Sequence, residues 1–436
     1  LAILLTGYMF SSRGFAGIGF YPVYVGEIVM ALGLLTLILT PFSPKIRFQG
    51  IRRFLTIDFL LLALFFGWSV LQTVPYFAEY QFDTLRDAMI FGYAVFAVLV
   101  MALVPRSWVV RFLNYYARLI PFALLWFPIF FFISRFDLVP IYFPGSQFPL
   151  LYTKGSDLGV HLSGMGAFLL LSLDRSYFPR WLTWVLWVMW LIDVLIFGSF
   201  GRAVLLCAAL AIGVVFIARP FRSRWDRPLL LGIIVLSVML LTGTYSSLRI
   251  DVGLAREISA EQLVDNVISI FGSSDNEGAG LEGTKQWRLL WWAAIQDYTF
   301  NGPYFWNGKG YGVNLANSDG FQVEEDESLR SPHNGHMTIL ARSGVPGYVL
   351  WAGFLAAFGF RLLRFGLTNM GRRPFESRVV FWILGYLVAF VVMTSFDVFL
   401  EGPMGGIWFW VMIGVAAVYM TDDPQEKAVP AVTEER

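Results

Sequence analysis

Long apolar runs separated by short polar stretches follow one another along most of the chain. A helix that crosses a bilayer needs about 20 mainly apolar residues, and shorter runs are tolerated. By this measure the pattern predicts about twelve membrane-spanning helices, with boundaries that hold to within a few residues. The predicted spans are 1–10, 22–41, 54–74, 88–104, 110–134, 158–173, 181–198, 203–218, 228–243, 345–363, 378–399 and 403–420.

The links between these spans alternate in their content of Lys and Arg. Cytoplasmic loops carry the positive excess near span ends, so this alternation is an independent test of the predicted topology. The basic links are 45–53, 106–111, 175–180, 219–227 and 361–378, which predicts that both termini are cytoplasmic. The links predicted on the opposite, external side are 11–21, 75–87, 135–157, the short turn 199–202, 244–344 and the turn at Glu401.

Residues 244–344 form the one large predicted segment outside the membrane. Between residues 244 and 336 this segment has thirteen acidic and six basic side chains, a net charge of −7. Residues 254–270 and 286–298 predict amphipathic helices, and 273–283 a Gly-rich mobile segment. Trp287, Trp291 and Trp292 on the second helix are typical of the lipid headgroup level. The predicted domains are 1–243 with nine spans, the loop 244–344, 345–420 with three spans and the cytoplasmic tail 421–436.

The composition agrees with a polytopic membrane protein and excludes several other classes. Hydrophobic residues make up 57% of the 436 residues and charged residues only 14%, which is not typical of a soluble globular protein. A net charge of +1 gives no basic surface for nucleic acid. Cys207 is the single cysteine, so an intrachain disulfide is excluded.

Residues 331–351 contain two of the three histidines, His333 and His336. The pattern predicts a short helix over 333–342, started by Pro332 and ended near Gly344, before the apolar run that begins at 345. Histidines three positions apart would share one face of this helix. That spacing could also hold a metal with acidic ligands from 324–327, but an acidic run is more typical of a solvated loop. The third histidine, His161, is placed at the external end of the sixth span, so all three are predicted to be external.

Two arginines stand out on the predicted external side. Arg202 lies in a Ser-Phe-Gly-Arg turn between two apolar runs, where its planar guanidinium could bind phosphate. The alternative is an arginine that extends to the membrane surface or pairs with Asp193. Arg288 lies on the helix predicted over 286–298, where the alternative is an ordinary solvated helix face. The glycines at 308, 310 and 312 follow no predicted strand, so the sequence does not predict a dinucleotide-binding fold here.

Taken in order, these motifs resemble the O-antigen ligase and O-antigen polymerase superfamily. The resemblance rests on the arginine in a short Ser/Gly turn, the arginine helix followed by tryptophans, and the glycine turn. It rests above all on the Pro-His-Asn segment at 332–334, followed by Met337, Leu340 and the glycines at 344 and 347. It extends over the twelve-span plan and implies a GT-C-like, all-α membrane glycosyltransferase.

The resemblance also implies roles for individual residues. His333 matches the catalytic histidine of the family, and Arg202 and Arg288 match arginines that hold a diphosphate. His336 has no counterpart, Arg342 stands where the family often has an acidic or polar residue, and Arg86 lies in a stretch similar to one in some polysaccharide polymerases. These three are further candidate site residues. The family implies no metal and no cofactor.

The implied donor is a glycan linked to undecaprenyl diphosphate. The implied acceptor is a hydroxyl of a lipid A core sugar, of the growing polysaccharide or of a protein, and the sequence does not choose among them. Arginines suit a diphosphate leaving group, and a histidine that titrates near neutral pH suits proton transfer from the acceptor. The implied location is the bacterial cytoplasmic (inner) membrane, with the active site on the periplasmic or extracellular side.

Two other classes of function remain open from the sequence. A transporter of polysaccharide or lipid-linked glycan would have ionisable or broken-helix sites near the bilayer midplane and repeated halves. Ionisable residues inside the predicted spans are few, and no repeat is visible. A structural membrane subunit of a larger assembly would leave the external arginines and histidines unexplained.

Overall fold

The computed structural model describes residues 1–20, 23–39, 53–144, 146, 149–174, 177–218 and 279–421. These residues are mostly helical, in agreement with the predicted all-α class. The predicted span 228–243, the predicted helix 254–270, most of the segment 273–283 and nearly all of the tail 421–436 lie outside the described residues. The GT-C-like architecture stays a prediction.

The N-terminal half of the described chain consists mainly of helices. Gly19–Phe20 (β1) and Val23–Tyr24 (β2) pair as an antiparallel hairpin between the first two helices. The helices are α1 Ala2–Ala16, α2 Val25–Leu39, α3 Ile57–Leu71, α4 Phe77–Tyr80, α5 Phe82–Gly92, α6 Ala94–Leu103, α7 Arg106–Arg135, α8 Gly155–Leu170, α9 Arg180–Phe200 and α10 Arg202–Ala218, with a 3₁₀ turn at Val74–Tyr76.

The C-terminal part of the described chain contains three long helices. Its elements are α11 Ala279–Gln296, a π-helical turn Asp297–Asn301, α12 Leu315–Asp319, α13 Gly335–Asn369, α14 Pro374–Thr394 and α15 Pro403–Met420. Helix α15 is apolar on all sides and is buried almost throughout, because α1, α6, α7 and α14 surround it. Helix α10 packs between α8 and α14, and α13 packs against α3 and α14.

The predicted spans within the described residues all coincide with helices, but their lengths differ. In this part of the chain six helices are long and apolar enough to cross a membrane, or up to seven if the bent pair α5 and α6 forms one span. Helices α2 and α10 are apolar but shorter. The predicted span 88–104 coincides with α6 and the end of α5, and these two helices meet at an angle of 51°. The count of twelve therefore stays a prediction.

The predicted short helix 333–342 is wrong in its start, whereas its predicted end near Gly344 coincides with a break in the helical backbone. His333 precedes the helix, and Asn334 is the N-cap residue, so Pro332 does not occupy the first turn. Helix α13 consists of two helical stretches that meet at a kink at Gly344, whose backbone is not helical, and the second stretch runs to Asn369. The predicted domain boundary at 344/345 thus falls at a kink within one helix.

The glycine-rich turn 308–312 packs against α13 at the kink at Gly344. Gly344 has a φ of +66°, and Gly308 and Gly310 also have positive φ. Carbonyl groups freed by the kink accept hydrogen bonds from this turn, at 2.7 Å from the N–H of Lys309 to Ala341 O and 3.0 Å from that of Gly310 to Arg342 O. A Cβ at Gly308 would lie 2.5 Å from the backbone of Arg342. The glycines therefore allow close backbone contact.

His161 lies inside the helix bundle, which corrects its predicted place at the external surface. Its side chain is buried and its Nδ1 makes a hydrogen bond with the hydroxyl of Tyr386. The ring also packs against Trp408 and Phe390. Helix α8 is buried on every face, so a histidine seven residues into it is surrounded by protein. His161 is a packed core residue, and the prediction that all three histidines are external is wrong.

Candidate active site

His333 lies in the loop immediately before α13, and its side chain is 29% exposed. Its backbone has a φ of +52°, a left-handed conformation that residues other than glycine adopt at a cost. Two contacts fix the chain on either side. The indole Nε1 of Trp292 donates to Pro332 O at 2.9 Å. Asn334 Oδ1 accepts from two N–H groups of the first turn of α13, at 3.0 and 3.1 Å. The imidazole is therefore presented from a rigid backbone.

His336 does not share a face with His333, contrary to the prediction, because only His336 is in the helix. Its Nδ1 accepts a hydrogen bond from Trp351 Nε1 at 3.1 Å, so its proton lies on Nε2, which faces Val391 O at 3.1 Å. Both ring nitrogens are occupied, which leaves neither for a metal or a substrate. Within the described residues, no group of three or more His, Cys, Asp or Glu could hold a metal ion.

Asp397 is the residue that faces His333. It lies in the loop between α14 and α15, and its Oδ1 is 3.6 Å from His333 Nδ1. The backbone N–H of Val398 donates to the same oxygen at 2.9 Å and so fixes the carboxylate. Burial would raise the pKa of Asp397, but the contact with His333 and the charges of Lys154 and Arg13 outweigh burial and hold the pKa well below its usual range. Asp397 is therefore an anion at any physiological pH.

Two basic side chains from the N-terminal half lie on the other oxygen of Asp397. Arg13, near the end of α1, is 3.4 Å from Asp397 Oδ2, and Lys154, just before α8, is 3.9 Å from it. Arg13 also binds Asp157 with two nitrogens, at 2.7 and 3.2 Å. Arg13 thus contacts the carboxylates of Asp157 and Asp397, whereas within the described chain the ammonium of Lys154 contacts only that of Asp397, at a longer distance.

Arg288 approaches the same place from α11. Its Nη1 donates to the backbone oxygen of Phe396, next to Asp397, at 3.3 Å. Within the described part of the chain it has no carboxylate within ion-pair distance, and its Nε is buried without a hydrogen-bond partner. Burial lowers the pKa of Arg288 while the charge of Asp397 opposes this. A half-buried guanidinium with unused donors is suited to bind an anion.

Helix α11 confirms the predicted helix over 286–298 but not the predicted place of its tryptophans. Trp291 is fully buried, stacks on Phe321 at 5.3 Å between ring centroids and donates to Asp319 at 2.6 Å. The ring of Trp287 lies 6.3 Å from that of His333. These rings pack within residues 286–334, because α11 lies against the loop that carries His333, and their level relative to the membrane stays a prediction.

Arg202 begins α10 at the same end of the bundle. Helices α10 and α14 run antiparallel, since Cys207 Sγ donates to Ala389 O at 3.3 Å and a Cβ at Gly385 would lie 3.3 Å from Ala211 O. Continuing this pairing toward the start of α10 places Arg202 level with the end of α14 and the loop of Asp397. The short predicted turn before Arg202 is confirmed, because α9 ends at Phe200.

Arg342 lies in a second charged cluster, around Asp87 on α5. Arg342 is 1% exposed and binds Asp87 Oδ2 at 2.9 Å, and Arg330 binds the same oxygen at 2.9 Å. The N–H of Gly312 donates to Asp87 at 3.1 Å. Arg342 is thus held within the fold by its Nη atoms, although its Nε is buried without a hydrogen-bond partner among the described residues. Arg86, the residue before Asp87 on α5, is exposed.

Three of the sequence-predicted residues, Arg202, Arg288 and His333, therefore lie at one end of the bundle. Arg342 and His336 are engaged elsewhere. The structure adds Arg13, Lys154, Asp157 and Asp397 to this end, and the sequence motifs did not identify them. Asp397 falls inside the predicted span 378–399, whereas α14 ends at Thr394, so the one signal for it was an acidic side chain near the end of an apolar run.

These features define a multi-pass membrane protein in which charged side chains converge at one end of a helical bundle. The family model described as O-antigen ligase matches residues 184–352, which confirms the resemblance to the O-antigen ligase and polymerase superfamily. At this level the family supports a membrane enzyme that transfers glycans and acts on lipid-linked substrates. The matched segment contains Arg202, Arg288 and His333. No curated protein was found to match the chain.

Proposed function

We propose that the protein is a metal-independent glycosyltransferase that moves a glycan from undecaprenyl diphosphate to an acceptor hydroxyl. The observation that carries the proposal is the contact of His333 with Asp397, surrounded by the basic side chains of Arg13, Lys154 and Arg288. Counted with Asp157 and Asp397, these groups leave one positive charge in excess when His333 is neutral. A base beside excess positive charge suits the attack of a hydroxyl on a carbon that carries an anionic leaving group.

His333 is the proposed general base. An anionic Asp397 opposite Nδ1 favours the neutral tautomer with its proton on Nδ1, which leaves Nε2 free to accept a proton. As the acceptor oxygen attacks the anomeric carbon, its proton passes to Nε2, and Asp397 stabilises the imidazolium. The separation of 3.6 Å is longer than a hydrogen bond, and we expect it to shorten when substrates bind.

The diphosphate is the proposed leaving group, held by Arg288 and Arg202. The bond between the anomeric carbon and the phosphate oxygen breaks, and its electron pair stays on the diphosphate. Positive charge fixed beforehand stabilises this developing anion without reorganisation. Support comes from the unused donors of Arg288 and from the position of Arg202 at the same end of the bundle. A single displacement of this kind inverts the anomeric centre.

The proposed site faces the extracytoplasmic side of the bacterial cytoplasmic (inner) membrane. The alternation of basic links favours this side, because positive residues concentrate in cytoplasmic loops. Nucleotide sugars are not expected outside the cytoplasm, so the donor must arrive already activated on a lipid. The undecaprenyl chain stays in the bilayer, which suits a charged site at the ends of the spanning helices.

The acceptor hydroxyl belongs to a lipid A core sugar, the growing polysaccharide or a protein. Ligase and polymerase share the donor chemistry proposed above and differ only in this acceptor. Supplying each acceptor in turn to the same purified protein would distinguish the three.

The test is glycan transfer by purified protein in nanodiscs, with a lipid-diphosphate oligosaccharide as donor and excess chelator present. We expect transfer by the wild type and a loss of about 10²–10⁴ in rate in His333→Ala, because the general base is removed. Thermal unfolding of the variant should match the wild type. Activity retained in His333→Ala would remove the assignment of the base. Movement of donor lipid across sealed vesicles without transfer would instead show a transporter.

A further inference from the structure

Lys154 lies beside the contact of His333 with Asp397 and outside the segment that matches the family model. Its ammonium is 3.9 Å from Oδ2 of Asp397, and His333 Nδ1 is 3.6 Å from Oδ1. One carboxylate therefore separates the cation from the proposed base. A group in this position could affect both the base and any anion bound next to it.

The backbone at Lys154 is fixed by neighbouring elements. The N–H of Thr153 donates to Ser134 Oγ at 2.9 Å, and the N–H of Gly14 donates to Tyr152 O at 3.1 Å. The N–H of Lys154 itself lies 3.4 Å from Asp157 Oδ2. The side chain therefore starts from a fixed point next to the site.

The ammonium of Lys154, in contrast, is loosely held. Its side chain is 45% exposed, and 3.9 Å is beyond hydrogen-bond distance. The side chain of Arg13 is only 18% exposed, and its two short contacts with Asp157 occupy its guanidinium. Of the two cations on Asp397 Oδ2, Lys154 is the one free to turn toward a ligand.

We propose that Lys154 is a further substrate-binding residue that binds a phosphate of the substrate. Its ammonium leaves Asp397 for the phosphate, where a compact, strongly hydrated charge with three donors suits such an anion. Asp397 then keeps only Arg13 and His333 as partners. Loss of the Lys154 charge from the carboxylate strengthens its hold on the imidazolium that forms when His333 takes the proton. This inference rests on the proposed function, and it couples anion binding to the base.

The kinetic test compares Lys154→Ala, Lys154→Gln and Lys154→Arg with Arg135→Ala as the control. Arg135 is a basic residue at the end of α7, near the same end of the bundle, and no described contact links it to Asp397. We expect Lys154→Ala and Lys154→Gln to lose about tenfold in kcat/KM for the donor, the size typical of a charged hydrogen bond. Lys154→Arg should recover most of the wild-type kcat/KM, and Arg135→Ala should have the same kcat/KM as the wild type.

The phosphate could belong to the donor diphosphate or to a phosphorylated acceptor, and inhibitors separate the two. Polyprenyl diphosphate without a glycan should inhibit the wild type more strongly than polyprenyl monophosphate, and Lys154→Ala should lose about tenfold against the diphosphate. A loss confined to the acceptor KM would support a phosphate site that serves the acceptor. Unchanged KM values and unchanged inhibition in Lys154→Ala would overturn the inference.

A binding measurement keeps this result separate from the proposed function. Polyprenyl diphosphate should raise the apparent Tm of the wild type, and raise that of Lys154→Ala less at the same concentration. If the wild type transfers no glycan but this difference persists, the proposed function fails and the phosphate site stands. If the wild type transfers glycan and the two shifts are equal, the site fails and the function stands.

Discussion

Two charged clusters flank the loop that carries His333, and they differ in how closely the charged groups approach their shared carboxylate. Asp87 accepts hydrogen bonds from Arg330 and Arg342, both at 2.9 Å, and from the N–H of Gly312 at 3.1 Å. Around Asp397, the contacts with His333, Arg13 and Lys154 are 3.4 to 3.9 Å long. The same residue types therefore build a tight cluster and a loose one.

The difference separates groups that hold the fold from groups that can react. In the Asp87 cluster the ion pairs of Oδ2 with Arg330 and Arg342 are both 2.9 Å long and Arg342 is buried, so a ligand could bind there only by breaking existing ion pairs. In the Asp397 cluster, Lys154 and His333 are partly exposed and Arg288 has unused donors. Residue type alone does not distinguish groups that hold the fold from groups that can react. The distances between the charged groups and their exposure do distinguish them.

Asp87→Ala gives the largest expected change in stability. The substitution leaves the guanidinium groups of Arg330 and Arg342 without their shared carboxylate, and removing one partner of a buried pair costs about 3–5 kcal/mol. Thermal unfolding in detergent should show a marked decrease in Tm. Asp83→Ala is the matched control, because Asp83 also binds Arg330 but its side chain is 41% exposed. Its loss should cost about 0–1 kcal/mol. Equal effects of the two substitutions would contradict the comparison.

The identity of the helices was largely predictable, since long apolar runs specify membrane helices almost by length alone. The ends and bends of the helices were less predictable. The start of α13 at Asn334 depends on a side-chain cap, and its bend at Gly344 depends on a loop that docks there. His161 was placed at the surface because the predicted span began at 158, whereas α8 begins at Gly155.

Gly344→Ala tests whether the loop that supplies Gly312 to the tight cluster depends on the kink. Gly344 has a φ of +66°, and a Cβ there would lie 2.5 Å from Phe305 O. Backbone strain of this kind costs about 1–3 kcal/mol, so the Tm should fall. Gly359→Ala is the control on the same helix, because a Cβ there meets nothing within 4 Å. That change should leave the Tm equal or slightly higher. A neutral Gly344→Ala would show that the kink does not need glycine.

Glu401 should give the smallest effect, a dependence of stability on pH near the tight cluster. Burial raises the pKa of Glu401 from 4.5 to about 7, although the charge of Arg342 opposes this. The folded state therefore holds the proton more strongly than the unfolded state. This contribution to stability is complete below pH 4.5 and is lost as the pH rises through 7. We expect the Tm of the wild type to fall relative to that of Glu401→Gln between pH 5 and 8. If the Tm of the wild type and that of Glu401→Gln changed in parallel with pH, the raised pKa of Glu401 would be contradicted.

The candidate site was predictable only where its residues lie in local motifs. The Pro-His-Asn segment and the arginine helix identified His333 and Arg288. Arg13 and Asp397 are 384 positions apart, and their contact arises only when α1, α14 and α15 pack together. No local pattern marks such a pair, so the loose cluster that surrounds the proposed base became visible only in the folded chain.

The most direct test of the pairing of His333 with Asp397 compares Asp397→Asn with Asp87→Asn in both glycan transfer and thermal unfolding. We expect Asp397→Asn to lose about 10²-fold or more in kcat, because the imidazolium of His333 loses its anion, while its Tm changes little. Asp87→Asn should show the reverse pattern, a large decrease in Tm with a much smaller change in rate per folded molecule. If Asp397→Asn transfers glycan at the wild-type rate, the proposed pairing of His333 with Asp397 is wrong.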